Sequence, residues 1–235
     1  MRALIVSHGQ PCDPEAPEVE LATLAARVAA LLPGWEIRSA TLAKPAALAQ
    51  AAAGIPGRVY PLFMTGGWFT RVQLPAKLAE AAAPGWQVLE PLGCDPAVHD
   101  LATRLVQGAA SVILAAHGSG RSPVPADVAR HVAARIAATG IRAAAAFIDQ
   151  APQIAQATGH GPGSVCLPFF AASGGHVTED IPSALAEAGF QGRLLPALGL
   201  SPEIPAIIAA AIAAGVPVCA TDCRWRNPAS DLNIR

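Results

Sequence analysis

Charge is scarce in this chain. Only 14% of its 235 residues are charged, and 16 basic against 17 acidic side chains leave a formal net charge of −1. With no excess of either sign, it lacks the electrostatic footprint of a nucleic-acid or anionic-membrane partner. A disulfide framework is excluded as well. The five cysteines (Cys12, Cys94, Cys166, Cys219, Cys223) are odd in number and widely scattered, which reads as reduced thiols in a cytosol. The opening residues, Met1 to His8, hold only a four-residue apolar run, too short for a signal peptide. The longest apolar stretch, Ile204 to Ala220, is interrupted by Pro205, Gly215 and Pro217 and is mostly alanine, so it reads as a helix and a short strand rather than a membrane span. With 52% hydrophobic residues, the expectation is a compact cytoplasmic protein of one large domain or two small ones.

What the sequence does contain is a duplication. Ala3-Leu4-Ile5-Val6-Ser7-His8-Gly9 near the start matches Val112-Ile113-Leu114-Ala115-Ala116-His117-Gly118, at an offset of 109. A longer block, Tyr60-Pro61-Leu62-Phe63, Gly66-Gly67-Trp68-Phe69-Thr70 and Leu74-Pro75-Ala76-Lys77-Leu78-Ala79-Glu80, matches Leu167-Pro168-Phe169-Phe170, Gly174-Gly175-His176-Val177-Thr178 and Ile181-Pro182-Ser183-Ala184-Leu185-Ala186-Glu187. Its offsets are 107 at the first proline and 108 at the glycine pair. Pro91-Leu92-Gly93-Cys94-Asp95-Pro96 against Leu198-Gly199-Leu200-Ser201-Pro202 completes the series. Two repeats are expected, residues 1–108 and 109–235.

Apolar runs bounded by Gly or Pro predict strands near 2–7, 36–41, 58–63 and 87–92, then 111–116, 142–148, 163–169 and 192–196. Ala/Leu-rich stretches at 15–32, 122–138 and 201–214 predict helices between them, with Pro182 and Pro202 at first-turn positions. Alternating strands and helices imply an α/β protein with a parallel sheet, flanked by helices, in each half. Ligands of such sheets bind at the carboxyl ends of the strands. His8, His117 and both Gly-Gly pairs follow predicted strands.

Three residues of the second half carry the chemistry. His117 and His176 are two imidazoles suited to Fe²⁺, Co²⁺, Ni²⁺ or Zn²⁺. A pair rather than a quartet leaves coordination positions open for a second partner. Trp68, the first-half counterpart of His176 in the glycine-pair register, cannot ligate. Asp149, in Phe147-Ile148-Asp149-Gln150, is either a helix N-cap or a carboxylate that takes up a proton or helps hold a cation. The residues alone leave open that the histidines are architectural. Cys219 and Cys223 read as one buried strand cysteine and one surface thiol, not a metal site. His99, His131 and His160 have no repeat counterpart and are assigned no role.

His117-Gly118-Ser119, Phe147-Ile148-Asp149, Leu167-Pro168-Phe169-Phe170 and Gly175-His176-Val177 with Glu179-Asp180-Ile181-Pro182 resemble the CbiX/SirB family of sirohydrochlorin chelatases, class II tetrapyrrole chelatases. The resemblance runs over nearly the whole chain and implies two tandem chelatase-like half-domains with a cleft between them. It implies an enzyme that inserts Co²⁺ or Fe²⁺ into a tetrapyrrole in cobalamin or siroheme biosynthesis, with no permanently bound cofactor, as a monomer or homodimer. A non-catalytic tetrapyrrole or metal-ion carrier of the same fold is the alternative. Carried over, His117 and His176 bind the metal, and Asp149 stands where the family usually has Glu. In long two-repeat members the site is associated with the N-terminal half. Here that half keeps only His8, so the sequence points to the C-terminal half. Substrate contacts are expected from Arg121, with Arg71 second, from Ser119, Gly174 and Gly175, and from the aromatic surfaces Trp68, Phe69, Phe169 and Phe170.

Overall fold

The computed structural model describes residues 1–81 and 85–227; the end of the second repeat, 228–235, lies outside them. The first sheet is built from β1 (Arg2–Ser7), β2 (Glu36–Thr41), β3 (Arg58–Pro61) and β4 (Gln87–Val88), and the second from β5 (Ser111–Ala116), β6 (Arg142–Phe147), β7 (Ser164–Pro168) and β8 (Arg193–Leu194). All pairings are parallel, in the orders β2-β1-β3-β4 and β6-β5-β7-β8. Every predicted strand is present. The edge strands β4 and β8 are shorter than expected because Pro91 and Pro196 cannot donate to a ladder. Past those prolines the chain turns into single 3₁₀ turns, Leu92–Cys94 and Leu198–Leu200. The glycine of each turn lies against a carbonyl: a Cβ would come within 2.1 Å of the Met64 oxygen at Gly93 and 2.0 Å of the Ala171 oxygen at Gly199. Close packing, not flexibility, explains why the Leu-Gly block recurs.

Seven α-helices complete the molecule among the described residues: α1 (Glu15–Ala30), α2 (Ala47–Ala52), α3 (Leu74–Ala81), α4 (Pro96–Leu105), α5 (Val124–Ala137), α6 (Ile181–Glu187) and α7 (Ile204–Ala214). Pro182 does sit in the first turn of α6, whereas α7 begins two residues after Pro202 and carries Pro205 there instead. No helix among the described residues is long and apolar enough to cross a membrane. All five cysteines are thiols rather than disulfides. Cys223 is buried and Cys219 half-buried, but neither lies in a strand.

The chain forms two compact units that exchange a helix. Met1–Asp95 is joined by Pro202–Asp222 in the first, and Pro96–Ser201 by the segment from Cys223 in the second. In the first unit α7 packs on α1, and the Arg58 guanidinium donates to the Ile212 and Ala213 carbonyls at the C-terminal end of α7, where a cation is favourable. The core of that unit holds Leu4, Val6, Val59, Leu74 and Leu78. In the second unit α4 packs on α5. Every residue of β5 is buried, within a core that includes Ile113, Ala115, Ile154, Cys166, Ile181 and Leu185. A strand buried on both faces needs a continuous apolar run, which Val112 to Ala116 supplies. Burial pushes the Cys166 thiol up to about 12, leaving it inert.

The remaining histidines are packing residues of the second unit. His160 Nδ1 lies 2.8 Å from Ser111 Oγ, which in turn meets Ser164 Oγ at 2.8 Å, all at the amino ends of β5 and β7. His131 stacks on Trp225 at 4.3 Å, with His99 beside both rings. Burial, with Arg135 adding to it, holds His131 below its ordinary pKa of 6.5. A histidine lowered by folding contributes stability that is complete above its unfolded pKa and lost as pH falls through the folded value. The thermal midpoint is therefore expected to drop on going from pH 7 to pH 5, and more steeply in the wild type than in His131→Gln. Equal slopes in a calorimetric pH series refute this.

Candidate active site

In each sheet the chain moves to one side of its first strand and then returns to the other. The crevice such a reversal leaves, at the carboxyl ends of the two strands that flank it, is where ligands of open α/β sheets bind. In the second unit those strands are β5 and β7. His117 is the first residue beyond β5. Beyond β7 the chain runs through Gly174 and Gly175 into a π-helical turn, His176–Asp180, continuous with α6. Pro182 has no N–H, and its ring would crowd the Thr178 carbonyl in a regular helix. The wider π turn relieves that conflict, and such turns are frequent at functional sites.

The two imidazoles meet edge to face, ring centroids 4.8 Å apart and planes 86° apart. Their side chains are 45% and 49% exposed, so both are open to solvent and to a ligand. His117 Nδ1 lies 3.1 Å from the Gly118 carbonyl and 3.3 Å from Asp149 Oδ2. His176 Nδ1 lies 2.6 Å from Asp180 Oδ2. All three neighbours are acceptors. In the neutral ring the proton therefore belongs on Nδ1, and Nε2 carries the lone pair. That is the tautomer a metal-binding histidine needs, and a carboxylate behind the ring is its usual support. No group of three or more His, Cys, Asp or Glu side chains forms a closed cage among the described residues. The arrangement offers two imidazole donors and leaves the rest of a coordination sphere to other ligands.

Asp149 caps no helix. The turn that follows it, Ile154–Gln156, is capped by Gln153 and Gln156, so the carboxylate stays at His117. The backbone holds both in place, with Asp149 N–H donating to the His117 carbonyl at 2.9 Å. Two residues escaped the sequence reading. Asp180 was visible only as an acid four places after His176, the i,i+4 spacing that brings side chains together on a helix. Gln150 accepts from Ser119 N–H at 2.8 Å and so pins the loop after His117. It had no sequence signal.

The first unit shows what its half of the duplication has lost. His8 follows β1 as His117 follows β5, and its Nδ1 meets the Gly9 carbonyl at 3.0 Å. The residue whose N–H donates to the His8 carbonyl is Ala43, the counterpart of Asp149. The ring set edge-on against His8, at 5.2 Å and 74°, is Phe69. The first π turn, Phe69–Gln73, aligns Phe69 with His176 and Gln73 with Asp180. Phe63 beside Phe69 likewise matches Phe170 beside His176, at 6.1 and 6.5 Å. The counterpart of His176 is thus Phe69, not Trp68. The glycine-pair register misleads because the first repeat has one more residue between that pair and its proline.

The expected substrate residues are distributed unevenly. Arg121 is exposed. Arg71 is instead a clamp of the first unit, donating to the Thr221 carbonyl with Asp222 3.9 Å away. Ser119 is engaged by its own loop, its Oγ accepting from Arg121 N–H at 3.1 Å. The Gly174 carbonyl accepts the Val177 and Thr178 N–H groups, and a Cβ on Gly175 would meet nothing within 4 Å, so open space lies over that backbone. Phe170 is half-buried against His176, while Phe169 is buried in the core and presents no surface. In the first unit Trp68 and Phe69 are exposed and packed edge to face at 5.3 Å.

The family model CbiX matches residues 111–214, from β5 to the end of α7. A solved structure described as CbiX, the terminal enzyme for biosynthesis of siroheme in denitrifying bacteria, is similar at 45% identity, over 91% of this chain and 99% of that one, with a TM-score of 0.84. This chain belongs to the CbiX family. Its two-unit fold is shared, at 14% and 16% identity, by SirB from Bacillus subtilis with Fe³⁺ and by the sirohydrochlorin chelatase SirB from B. subtilis subspecies spizizenii in complex with cobalt. The TM-scores are 0.67 and 0.65, over 92% of this chain and 95% and 94% of those chains. No curated protein sequence matches the chain.

The loop behind His117 makes a specific demand on residue 118. Gly118 has φ +75°, and a Cβ there would lie 2.7 Å from Gln150 Cγ. Gly118→Ala is expected to cost about 1–2 kcal/mol of stability, from backbone strain and the displaced glutamine. Urea unfolding measures it, and a cost near zero would show that the loop relaxes freely.

Proposed function

We propose that this protein is a sirohydrochlorin chelatase that inserts Fe²⁺ or Co²⁺ into its tetrapyrrole, using His117 and His176 of the second unit. The observation that carries this reading is the pair of imidazoles at the β5–β7 crevice, 4.8 Å apart and each backed on Nδ1 by a carboxylate. Metal insertion makes three demands: an ion held weakly enough to leave, acceptors for two pyrrole N–H protons, and a surface that bends the macrocycle. Two neutral imidazoles meet the first, because they leave most of the coordination sphere to the incoming pyrrole nitrogens. They also meet the second. Once the ion has passed to the ring, each Nε2 lone pair is available for a proton, and Asp149 and Asp180 balance the charge this creates.

The substrate is a polycarboxylate. Arg121, exposed just beyond the His117 loop, is the cation for its acid groups, since a guanidinium forks onto a carboxylate. The open backbone at Gly175, which Gly174 precedes, admits a flat ligand close to His176, and Phe170 gives it an apolar face. Ser119 shapes the loop that carries Arg121. Asp149 is one methylene shorter than the family's usual glutamate, and at 3.3 Å from His117 Nδ1 its reach suits holding that ring. The 45% identical relative, described as the terminal enzyme of siroheme biosynthesis, supports iron as the ion.

Anaerobic insertion of Fe²⁺ and Co²⁺ into sirohydrochlorin, followed by absorbance, tests the reading. His117→Ala and His176→Ala are each expected to lower the rate about 10²-fold or more, whereas His8→Ala leaves it unchanged. Damage confined to His8→Ala moves the site to the first unit. A wild type that binds metal and tetrapyrrole without accelerating insertion is a carrier.

A further inference from the structure

Asp180 occupies the residue before α6, where an acid ordinarily caps a helix. It caps nothing: its backbone is helical, at φ −68° and ψ −45°, and its carboxylate makes no capping hydrogen bond. That carboxylate reaches back one turn to His176 Nδ1 at 2.6 Å, the shortest polar contact at the site, with about half of both side chains exposed. An exposed pair on one helical turn contributes little to stability, so the geometry calls for another role.

The first unit carries independent evidence. There the histidine position is Phe69, which offers no N–H, and the Asp180 position is Gln73. Gln73 Oε1 is buried with no hydrogen-bond partner. Within one chain the carboxylate and its imidazole have been exchanged together, leaving behind an acceptor with nothing to accept from.

We infer that Asp180 is a positioning residue for metal capture. By accepting Nδ1–H it fixes the ring plane and tautomer of His176, so that Nε2 faces the ion alongside His117. At His117 the Nδ1 hydrogen bond goes to the Gly118 carbonyl, with the Asp149 carboxylate 3.3 Å away, so an acid stands behind each histidine. The inference rests on the chelatase reading above and adds a residue to it.

The test is Co²⁺ titration of the full chain without tetrapyrrole, read by visible absorption and calorimetry, together with steady-state kinetics. Asp180→Ala is expected to weaken Co²⁺ binding about 10–100-fold. The KM for metal should rise in parallel, while the KM for the tetrapyrrole and the thermal midpoint hold. Asp180→Asn keeps a neutral acceptor for Nδ1–H and should recover part of the affinity. Wild-type Co²⁺ affinity in Asp180→Ala, with affinity lost in His176→Ala, overturns this inference and leaves the chelatase site intact. Full affinity in both variants overturns the site itself, and the inference with it. A rise in both KM values with a fall in thermal midpoint, unrelieved in Asp180→Asn, makes Asp180 a structural residue and also overturns it.

Discussion

Everything at the site depends on the reversal of strand order around β5. With β6 on one side and β7 on the other, the segments leaving β5 and β7 diverge, and backbone groups at their carboxyl ends have no further strand to pair with. Loop hydrogen bonds secure these ends instead, two of them joining the segments after β5 and β6 and two lying within the turn before α6. Asp149 N–H goes to the His117 carbonyl, Ser119 N–H to Gln150, and the Val177 and Thr178 N–H groups to Gly174. These bonds set the two imidazoles edge to face. The apolar stack of β5 supplies the rigidity that a short loop lacks. Precision at the histidines is thus inherited from a strand buried along its whole length.

The first unit repeats the same frame with different side chains. Its strand order, its π turn, its strand-end histidine and even its edge-to-face ring pair are all present. What differs is side-chain identity at three positions, where Ala43, Phe69 and Gln73 stand for Asp149, His176 and Asp180. An aromatic pair survives as packing, and His8 survives as part of it. Shape was preserved by the duplication while donors were not.

Both halves use the π turn. A proline one residue inside α3 and α6, Pro75 and Pro182, conflicts with a regular helix at the turn before it. Widening that turn removes the conflict and shifts residue 176 outward over the crevice, within reach of both His117 and Asp180. A helix start that looks in the sequence like an ordinary Pro-marked boundary is therefore also what positions His176.

Strand positions, the duplication and the fold class were legible in the sequence, and His117, His176 and Asp149 stood out there as candidates. Apolar runs, Gly/Pro punctuation and repeated blocks are local signals, and a residue at a strand end is local too. Several features were not legible. The pairing of Asp180 with His176 was not assigned, since an acid before a proline-marked helix reads as a cap. The match of Phe69 with His176 follows the 107-residue offset of the flanking prolines, which the glycine-pair register masks. Phe169, expected as an aromatic surface, lies in the core, and Arg71, expected as a second cation for the substrate, clamps the first unit. The exchange of α4 and α7 between the compact units was hidden as well, because their sequences specify helices without specifying which sheet they cover. The sequence by itself determined which elements form and which donors stand at their ends. Only the tertiary structure decided which donors meet, because that depends on the register of turns and the choice of packing partner, and neither is written in a local pattern.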